Sequence, residues 1–219
     1  MKGLFITFEG TEGSGKTTQI SLLAERLRSM GYAVRTLREP GGTPIGEEVR
    51  HTLKHSPVNH AMTPEAELLL MNASRAQLVR EVIRPALASG AIVLCDRFYD
   101  STTAYQGHGR QLDLEMVRNI VDVAVGDTRP DLTLLFIVPR DVSEARRAAR
   151  QPTLPLAIKR DRMEEADRSF FARVEQGYQA IAKAEPRRVR QLDAMGGVVE
   201  TEAAVWKLVR PLLARVEAA

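Results

Sequence analysis

A glycine-rich stretch near the amino terminus has the residue types and spacing of a phosphate-binding loop. Residues 8–19 read FEGTEGSGKTTQ, and GTEGSGKT within them fits the pattern GxxxxGK[ST]. Glycines allow the backbone to curl so that several amide groups face one anion, and the following helix adds the positive end of its dipole. In such a loop Lys16 can reach the β- and γ-phosphates, and the Thr17 hydroxyl can bind Mg²⁺. The stretch predicts a nucleoside triphosphate site, with ATP the expected ligand; the alternative is a glycine-rich turn that only starts a helix.

A carboxylate and an arginine follow the third predicted strand of the chain. Asp96 ends the apolar run AIVLCD, and Arg97 comes directly after it. Ligands bind at the carboxyl ends of the strands in a doubly wound sheet, so both side chains are expected close to the phosphate loop. A carboxylate there can orient Mg²⁺, and an arginine offers phosphate oxygens a planar fork of donors. The alternative is that Asp96 caps the next segment and Arg97 lies on the surface.

These groups are positioned by short apolar runs that alternate with longer helical patterns. Continuous apolar runs are typical of strands covered on both faces, and we predict strands at Gly3–Glu9, Tyr32–Leu37, Ala91–Asp96, Leu132–Val138 and Arg188–Leu192. Helices are expected after the phosphate loop, from Thr63 towards Gly90 with a kink at Pro85, from Asp141, over Met163–Ala184 and over Glu200–Val216. Strands separated by helices predict a single α/β domain over residues 1–219. Its sheet is expected to be doubly wound, mainly parallel and five-stranded, with helices on both faces.

The composition of the chain argues against nucleic-acid-binding, secreted and membrane-spanning proteins. The chain has 31 basic and 28 acidic residues, a balance too even for a dedicated nucleic-acid binder. Its one cysteine, Cys95, permits no disulfide within the chain, which suits a reducing compartment. The first ten residues hold too short an apolar run for a signal peptide, and no stretch approaches the ~20 apolar residues of a membrane span. We therefore expect a cytoplasmic protein without a nucleic-acid or membrane partner.

Four blocks of sequence together resemble the bacterial thymidylate kinase family, whose members transfer the γ-phosphoryl group of ATP to dTMP. The blocks are EGTEGSGKTT (Glu9–Thr18), REPGGT (Arg38–Thr43), DRFYDSTTAYQG (Asp96–Gly107) and RPDLTLLF (Arg129–Phe136). Many ATPases share the phosphate loop, whereas REPGGT combined with DR…S…AYQG is much more specific. The resemblance extends over nearly the whole chain. It implies a homodimer that uses Mg²⁺ and ATP to make dTDP for dTTP synthesis.

Together with the phosphate loop, the resemblance assigns the residues of the site. Metal binding falls to Thr17 and Asp96, and the catalytic cations are Lys16, Arg97 and Arg160. The residues assigned to ATP are Gly10, Thr11, Glu12, Gly13, Ser14, Gly15, Lys16, Thr17, Thr18, Arg150 and Arg162. The residues assigned to dTMP are Arg38, Glu39, Arg50, Met71, Arg75, Ser101, Thr102, Tyr105 and Gln106, with Arg75 implied at the thymine edge.

A basic segment late in the chain resembles the mobile lid that closes over ATP. The segment RRAARQPTLPLAIKRDRME (Arg146–Glu164) carries six basic residues around two prolines, and the lid is expected at about residues 147–162. The phosphate loop has no arginine at its variable positions, which resembles the branch of the family whose lid supplies the cation. Arg150, Arg160 and Arg162 are the candidates. A solvated basic loop is the alternative.

Met71 departs from the family pattern, because it occupies the position of a phenylalanine that stacks on the base. A thioether can cover a ring but loses the aromatic overlap. A kinase acting on dUMP, UMP or CMP therefore stays open as an alternative, as does Met71 as ordinary core packing. A phosphate-loop nucleotide switch without a small acceptor is the alternative from a different class.

Overall fold

The computed structural model describes residues 3–150 and 168–216. Within these ranges one sheet of five parallel strands has the order β2-β3-β1-β4-β5. The strands are β1 (Leu4–Gly10), β2 (Val34–Arg38), β3 (Ile92–Asp96), β4 (Leu132–Ile137) and β5 (Val189–Asp193). This arrangement confirms the predicted α/β fold, and the parallel pairing extends to every strand of the sheet.

Helices connect the strands and cover both faces of the sheet. They are α1 (Lys16–Ser29), α2 (Pro44–Lys54), α3 (Pro64–Leu78), α4 (Arg84–Ala88), α5 (Tyr99–Thr102), α6 (Leu114–Val125), α7 (Arg140–Arg150), α8 (Arg168–Ala184) and α9 (Val198–Val209). A π-helical stretch, Thr103–Gly109, continues α5, and the 3₁₀ turns are Asn59–Ala61 and Arg210–Arg215. No helix in the described part of the chain is long and apolar enough to span a membrane.

The alternation of side chains along β1 builds a core on each face of the sheet. Leu4, Ile6 and Phe8 pack with α1 and α9 on one face. Phe5 lies on the other face, in the cluster that includes residues of α3 and α6. Since successive strand residues point to opposite faces, Thr7 and Glu9 share the face of Phe5. A polar residue at the end of β1 is thereby directed under α5 and α8.

The long helix after Thr63 is interrupted before Pro85 and not at it. Regular α-helix ends at Leu78, and a π-helical turn, Val79–Ile83, precedes α4. In that turn the Arg84 amide donates to the Val79 carbonyl five residues earlier. Proline has no amide hydrogen and crowds the carbonyl four residues before it, so the wider turn relieves the helix in advance.

The end of the last predicted helix differs from the prediction. That segment is α-helical only to Val209, and a 3₁₀ turn follows that contains Pro211. The missing proline amide accounts for the change. Helix α8 begins at Arg168 in the described residues, and the predicted start at Met163 lies outside them.

Strand order places a crevice at the carboxyl ends of β1 and β3. These strands are neighbours, but the chain leaves β1 towards β2 and leaves β3 towards β4, on opposite sides. Such a switch in direction opens a ligand-binding crevice in parallel sheets. The phosphate loop follows β1 and Arg97 follows β3, so the topology brings the two sequence motifs to the same edge.

Candidate active site

The phosphate loop lies between β1 and α1, with Lys16 as the first helical residue. Lys16 is 6% exposed, and its ammonium group donates back across the loop to the carbonyls of Gly10 (3.1 Å) and Thr11 (2.9 Å) and to Ser14 Oγ (3.4 Å). Three bonds of this kind span the concavity of the loop. They hold the loop curled and keep the ammonium group at its centre.

Two glycines of the loop have conformations and neighbours that exclude a side chain. Gly10 has φ 131°, and a Cβ there would lie 2.5 Å from the Phe136 carbonyl oxygen. Gly13 has φ 80°, and a Cβ there would lie 2.5 Å from the carbonyl oxygen of Ser143 in α7. Positive φ favours glycine, and both contacts are with backbone that cannot yield. The loop is thus packed closely against β4 on one side and α7 on the other.

Thr17 and Asp96 meet where a magnesium ion is expected. The Thr17 hydroxyl donates to Asp96 Oδ2 at 3.1 Å, which joins the start of α1 to the end of β3. A hydroxyl and a carboxylate are oxygen donors of the kind that Mg²⁺ accepts, and this ion commonly takes one or two protein ligands beside phosphates and water. The pair therefore fits the predicted metal site.

Arg97 is held beside the loop by hydroxyl groups. Its Nη1 donates to Ser101 Oγ (3.1 Å) and Tyr178 Oη (3.2 Å), and its Nη2 donates to Tyr105 Oη (3.4 Å). The guanidinium carbon also lies 5.1 Å from the centre of the Tyr105 ring. The backbone of Arg97 has φ 68°, and its amide donates to the Phe8 carbonyl at 2.9 Å. A left-handed conformation at a residue other than glycine costs about 1–3 kcal/mol and is characteristic of functional sites.

Lys16 and Arg97 act on each other electrostatically. The pKa of Lys16 is lowered to about 8, first by burial and next by the positive charge of Arg97. Two cations that repel one another across a crevice form a site prepared for a polyanion, because a bound phosphate chain would relieve the repulsion.

A buried ion pair lies on the β2 side of the crevice. Arg75 and Glu39 are 2% and 7% exposed. Arg75 Nε donates to Glu39 Oε2 at 2.8 Å, and Nη2 lies 2.7 Å from the same oxygen. The remaining donors of Arg75 bind Asn72 Oδ1 (2.8 Å), Thr102 Oγ1 (2.9 Å) and the Phe98 carbonyl (3.3 Å). Each of the three guanidinium nitrogens thus has at least one protein acceptor. Arg75 joins α3, the segment after β2 and the segment after β3 into one wall.

The second carboxylate oxygen of Glu39, Oε1, does not share these contacts. Within the described residues Glu39 Oε1 is buried without a hydrogen-bond partner. Burial raises the pKa of Glu39, against the opposing effect of Arg75. An unpartnered buried oxygen next to a ligand crevice is an available acceptor for a ligand hydroxyl or water.

Arg38 and Arg50 converge on one backbone carbonyl. Arg38 Nη1 and Arg50 Nη1 donate to the Pro40 oxygen at 3.3 and 2.8 Å. Arg38 also pairs with Glu47 at 3.0 Å. The structure therefore brings together the two arginines that were assigned to the monophosphate.

Other residues predicted for the site lie outside the clusters around Arg97, Arg75 and Pro40. Gln106 is 1% exposed, and its amide donates to Glu67 at 2.8 Å, so it helps to join the segment after α5 to α3. Met71 is half-buried on α3. Arg150 ends α7, but its side chain lies outside the described part of the chain, as do Arg160 and Arg162 entirely.

Sequence reasoning missed two residues of the Arg97 cluster. Glu9 is fully buried and receives hydrogen bonds from the hydroxyls of Ser101 (2.6 Å) and Tyr178 (2.8 Å). A carboxylate inside the otherwise apolar run GLFITFE was a local signal for Glu9. Tyr178 lies 169 positions further along the chain, on α8, and no local pattern marked it.

Comparisons of this chain with known proteins all find the same family, and the matches extend over almost the whole chain. The sequence profile of the thymidylate kinase family matches residues 8–205. Relatives named thymidylate kinase from a Synechococcus strain and from Pseudomonas fluorescens are 49% and 47% identical; the alignments cover 96% and 97% of this chain and 96% and 98% of the relatives. A crystal structure of thymidylate kinase from Ehrlichia chaffeensis aligns with a TM-score of 0.75 at 33% identity, over 96% of this chain and 99% of that one.

Proposed function

This chain belongs to the thymidylate kinase family and uses ATP to phosphorylate dTMP to dTDP, and we propose that Lys16 and Arg97 supply the positive charge on which this transfer depends. The observation that carries the proposal is their placement: Lys16 lies in the phosphate loop after β1, and Arg97 directly follows the neighbouring strand β3. The positive charge of Arg97 accordingly contributes, after burial, to the lowered pKa of Lys16. Each cation comes from a different strand end of the same crevice.

The chemistry of the acceptor explains why charge is the main requirement. The second pKa of a phosphate monoester is ≈ 6, so dTMP is mostly a dianion at neutral pH and can attack without a general base. Two polyanions must nevertheless approach in line, and the transition state spreads charge over the transferred oxygens. Catalysis then rests on positioning and on cations that are already in place.

Magnesium is assigned to the oxygen pair at the start of α1. Thr17 Oγ1 and Asp96 Oδ2 lie 3.1 Å apart beside the phosphate loop. We infer that both orient the ion, directly or through water. When bound there, Mg²⁺ would neutralise charge on the β- and γ-phosphates of ATP.

The dTMP side of the crevice is assigned to the segments after β2 and β3. Arg50 and Arg38, which share the Pro40 carbonyl, are proposed to bind the monophosphate. Glu39 Oε1 is the available acceptor towards the sugar. The ring of Tyr105 is proposed to lie beneath the sugar and to disfavour a 2′-hydroxyl group. Arg75 at the thymine edge, Met71, Ser101 and Thr102 stay predictions for the base side.

The adenosine side is assigned to the phosphate loop and the lid. We propose that Gly10, Gly15 and the residues between them bind the phosphates of ATP, and that one of Arg150, Arg160 and Arg162 completes the cation set on closure. Closure would exclude water, which otherwise competes as an acceptor.

A homodimer is supported by an apolar groove between α3 and α6. Leu69 and Val123 are 56% and 77% exposed in the monomer. The other apolar lining residues are Ala73, Ala76, Met116, Ile120 and Ala124. Apolar surface of this kind is stabilised when a second subunit covers it. We assign the groove to the dimer interface, and we expect the enzyme in the cytoplasm.

A coupled assay of ADP release with a panel of acceptors tests the proposal. dTMP should give the highest kcat/KM among dTMP, dUMP, UMP and CMP, and ATP alone should be hydrolysed slowly. A preference for another monophosphate would indicate that Met71 has changed the base selectivity. Hydrolysis that no monophosphate accelerates would instead indicate a nucleotide switch.

A further inference from the structure

Glu9 is a buried carboxyl group at the end of an otherwise largely apolar strand. It is 0% exposed, and it lies on the face of β1 that is covered by α5 and α8. Burying a carboxylate costs free energy unless its oxygens are fully hydrogen-bonded. The surroundings of Glu9 therefore indicate what the group is for.

Both oxygens of Glu9 accept hydrogen bonds from the segment that follows Arg97. Oε1 accepts from the amides of Phe98 (2.8 Å) and Ser101 (3.3 Å). Oε2 accepts from the hydroxyls of Ser101 (2.6 Å) and Tyr178 (2.8 Å). Every one of these partners can donate, which matches an acceptor-only carboxylate. Burial and the neighbouring charge of Asp100 act in the opposite direction, and they raise the pKa of Glu9 to about 7.

The two hydroxyls bound to Glu9 are the same ones that hold Arg97. A hydroxyl has one hydrogen and two lone pairs. If Ser101 and Tyr178 each give their hydrogen to Glu9, their oxygens can each accept one of the two Nη1 hydrogens of Arg97, at 3.1 and 3.2 Å. The carboxylate thus fixes the direction of both hydroxyls, and the hydroxyls fix the guanidinium group.

This indirect arrangement leaves part of Arg97 available. With Nη1 bound to Ser101 and Tyr178 and one Nη2 hydrogen directed to Tyr105, Nε–H and the second Nη2 hydrogen have no acceptor among residues 3–150 and 168–216. A carboxylate in direct contact would occupy donors and neutralise the charge. Neutral hydroxyls orient the guanidinium group, and they leave its positive charge and its two remaining hydrogens available to phosphate oxygens.

We propose that Glu9 is a positioning residue for Arg97, acting through the hydroxyls of Ser101 and Tyr178. The inference rests on the proposed role of Arg97 in phosphoryl transfer. It makes Glu9 a part of the machinery that never touches a nucleotide.

Glu9→Gln tests the inference with almost no change in shape. The new amide would point hydrogens at the Ser101 and Tyr178 oxygens, so the two hydroxyl hydrogens would lose their acceptor at position 9. The direction of each hydroxyl would then no longer be fixed, and a hydroxyl hydrogen turned towards Arg97 would oppose the Nη1 donors. We expect kcat to fall about tenfold, the effect of one misplaced hydrogen bond in the transition state, with KM for ATP and dTMP changed less than about threefold. Unchanged kcat would overturn the inference.

The same substitution in an Arg97→Ala background separates the two proposals. Arg97→Ala alone should lower kcat by ~10²–10³-fold, as expected for one transition-state donor. Glu9→Gln should then add almost nothing, because the group that it positions is gone. Normal kcat in Arg97→Ala would refute the role of Arg97 itself. A full additional loss in the double variant would mean that Glu9 acts by another route.

Two further variants control for folding. Asp100→Asn changes another buried carboxyl group next to Ser101, one bound to Arg188 and Thr133 and not to the hydroxyl pair. It should lower the melting temperature while kcat changes less than about twofold; a loss of kcat as large as that of Glu9→Gln would indicate a merely structural effect. Tyr178→Phe is the alternative test if Glu9→Gln does not fold, because it removes one of the two hydroxyls and nothing else. It should lower kcat in the wild-type background and not in the Arg97→Ala background. Unchanged kcat in the wild-type background would overturn the inference.

Discussion

Substitution of Arg188 by methionine should destabilise the fold far more than substitution of a surface arginine. Arg188 precedes β5 and binds Asp100, on α5, with both ends of its fork at 2.6 and 2.8 Å. It also donates to Thr133 Oγ1 on β4 at 2.8 Å. The side chains of Arg188 and Asp100 are 12% and 3% exposed. One ion pair thus ties the segment after β3 to β4 and β5.

The expected cost follows from the burial of Asp100. Arg188→Met keeps an aliphatic stem but leaves the carboxylate buried without its cation, which typically costs about 3–5 kcal/mol. Proteins of this size lose ~2–4 °C of melting temperature per kcal/mol, so the midpoint should fall by ~6–20 °C. The change amounts to a large fraction of the ~5–15 kcal/mol by which folded proteins are stable.

Urea unfolding at a fixed protein concentration measures the difference, with Arg26→Met as the matched control. Arg26 pairs with Glu202 at 3.5 Å, and the two side chains are 40% and 32% exposed. Pairs this exposed contribute about 0–1 kcal/mol. Adding Asp100→Asn to Arg188→Met should cost less than the sum of the single changes, since no unpaired charge then stays buried. A loss for Arg188→Met no larger than that for Arg26→Met would refute the reasoning.

Two other expectations concern the phosphate loop and the dimer. Lys16→Ala should remove most activity while far-UV circular dichroism and the cooperative unfolding transition are retained, because the role of the ammonium group is electrostatic; near-normal turnover would contradict that role. Leu69→Glu should shift the enzyme from dimer to monomer in sedimentation experiments, since it places charge in the apolar groove. Glu65→Gln, an exposed change in the first turn of the same helix, is the control, and a Leu69→Glu protein that stays dimeric would place the interface elsewhere.

Local patterns in the sequence were sufficient to predict most of the helices and strands and the place of the phosphate-loop motif between them. The spacing of Gly10, Gly15 and Lys16 predicted the loop, and the structure has it between β1 and α1. The apolar run that ends at Asp96 predicted β3, and that strand ends at Asp96. The periodicity of apolar residues and the spacing of motif residues involve positions only a few residues apart, so a single sequence reveals both. Pro85 predicted an irregular helix, but the wider turn that absorbs the strain lies before it.

Tertiary packing decided which side chains share hydrogen bonds. Arg75 could be read as a polar residue on a helix face, yet its three nitrogens bind Glu39, Asn72, Thr102 and Phe98, which come from separate parts of the chain. Tyr178 reaches Glu9 across 169 residues only because α8 packs over the end of β1. The sequence by itself determines the residue types and the conformational preferences of short segments. Whether a buried charge is satisfied depends on groups that are distant in the chain, and only the completed packing brings them within hydrogen-bond distance.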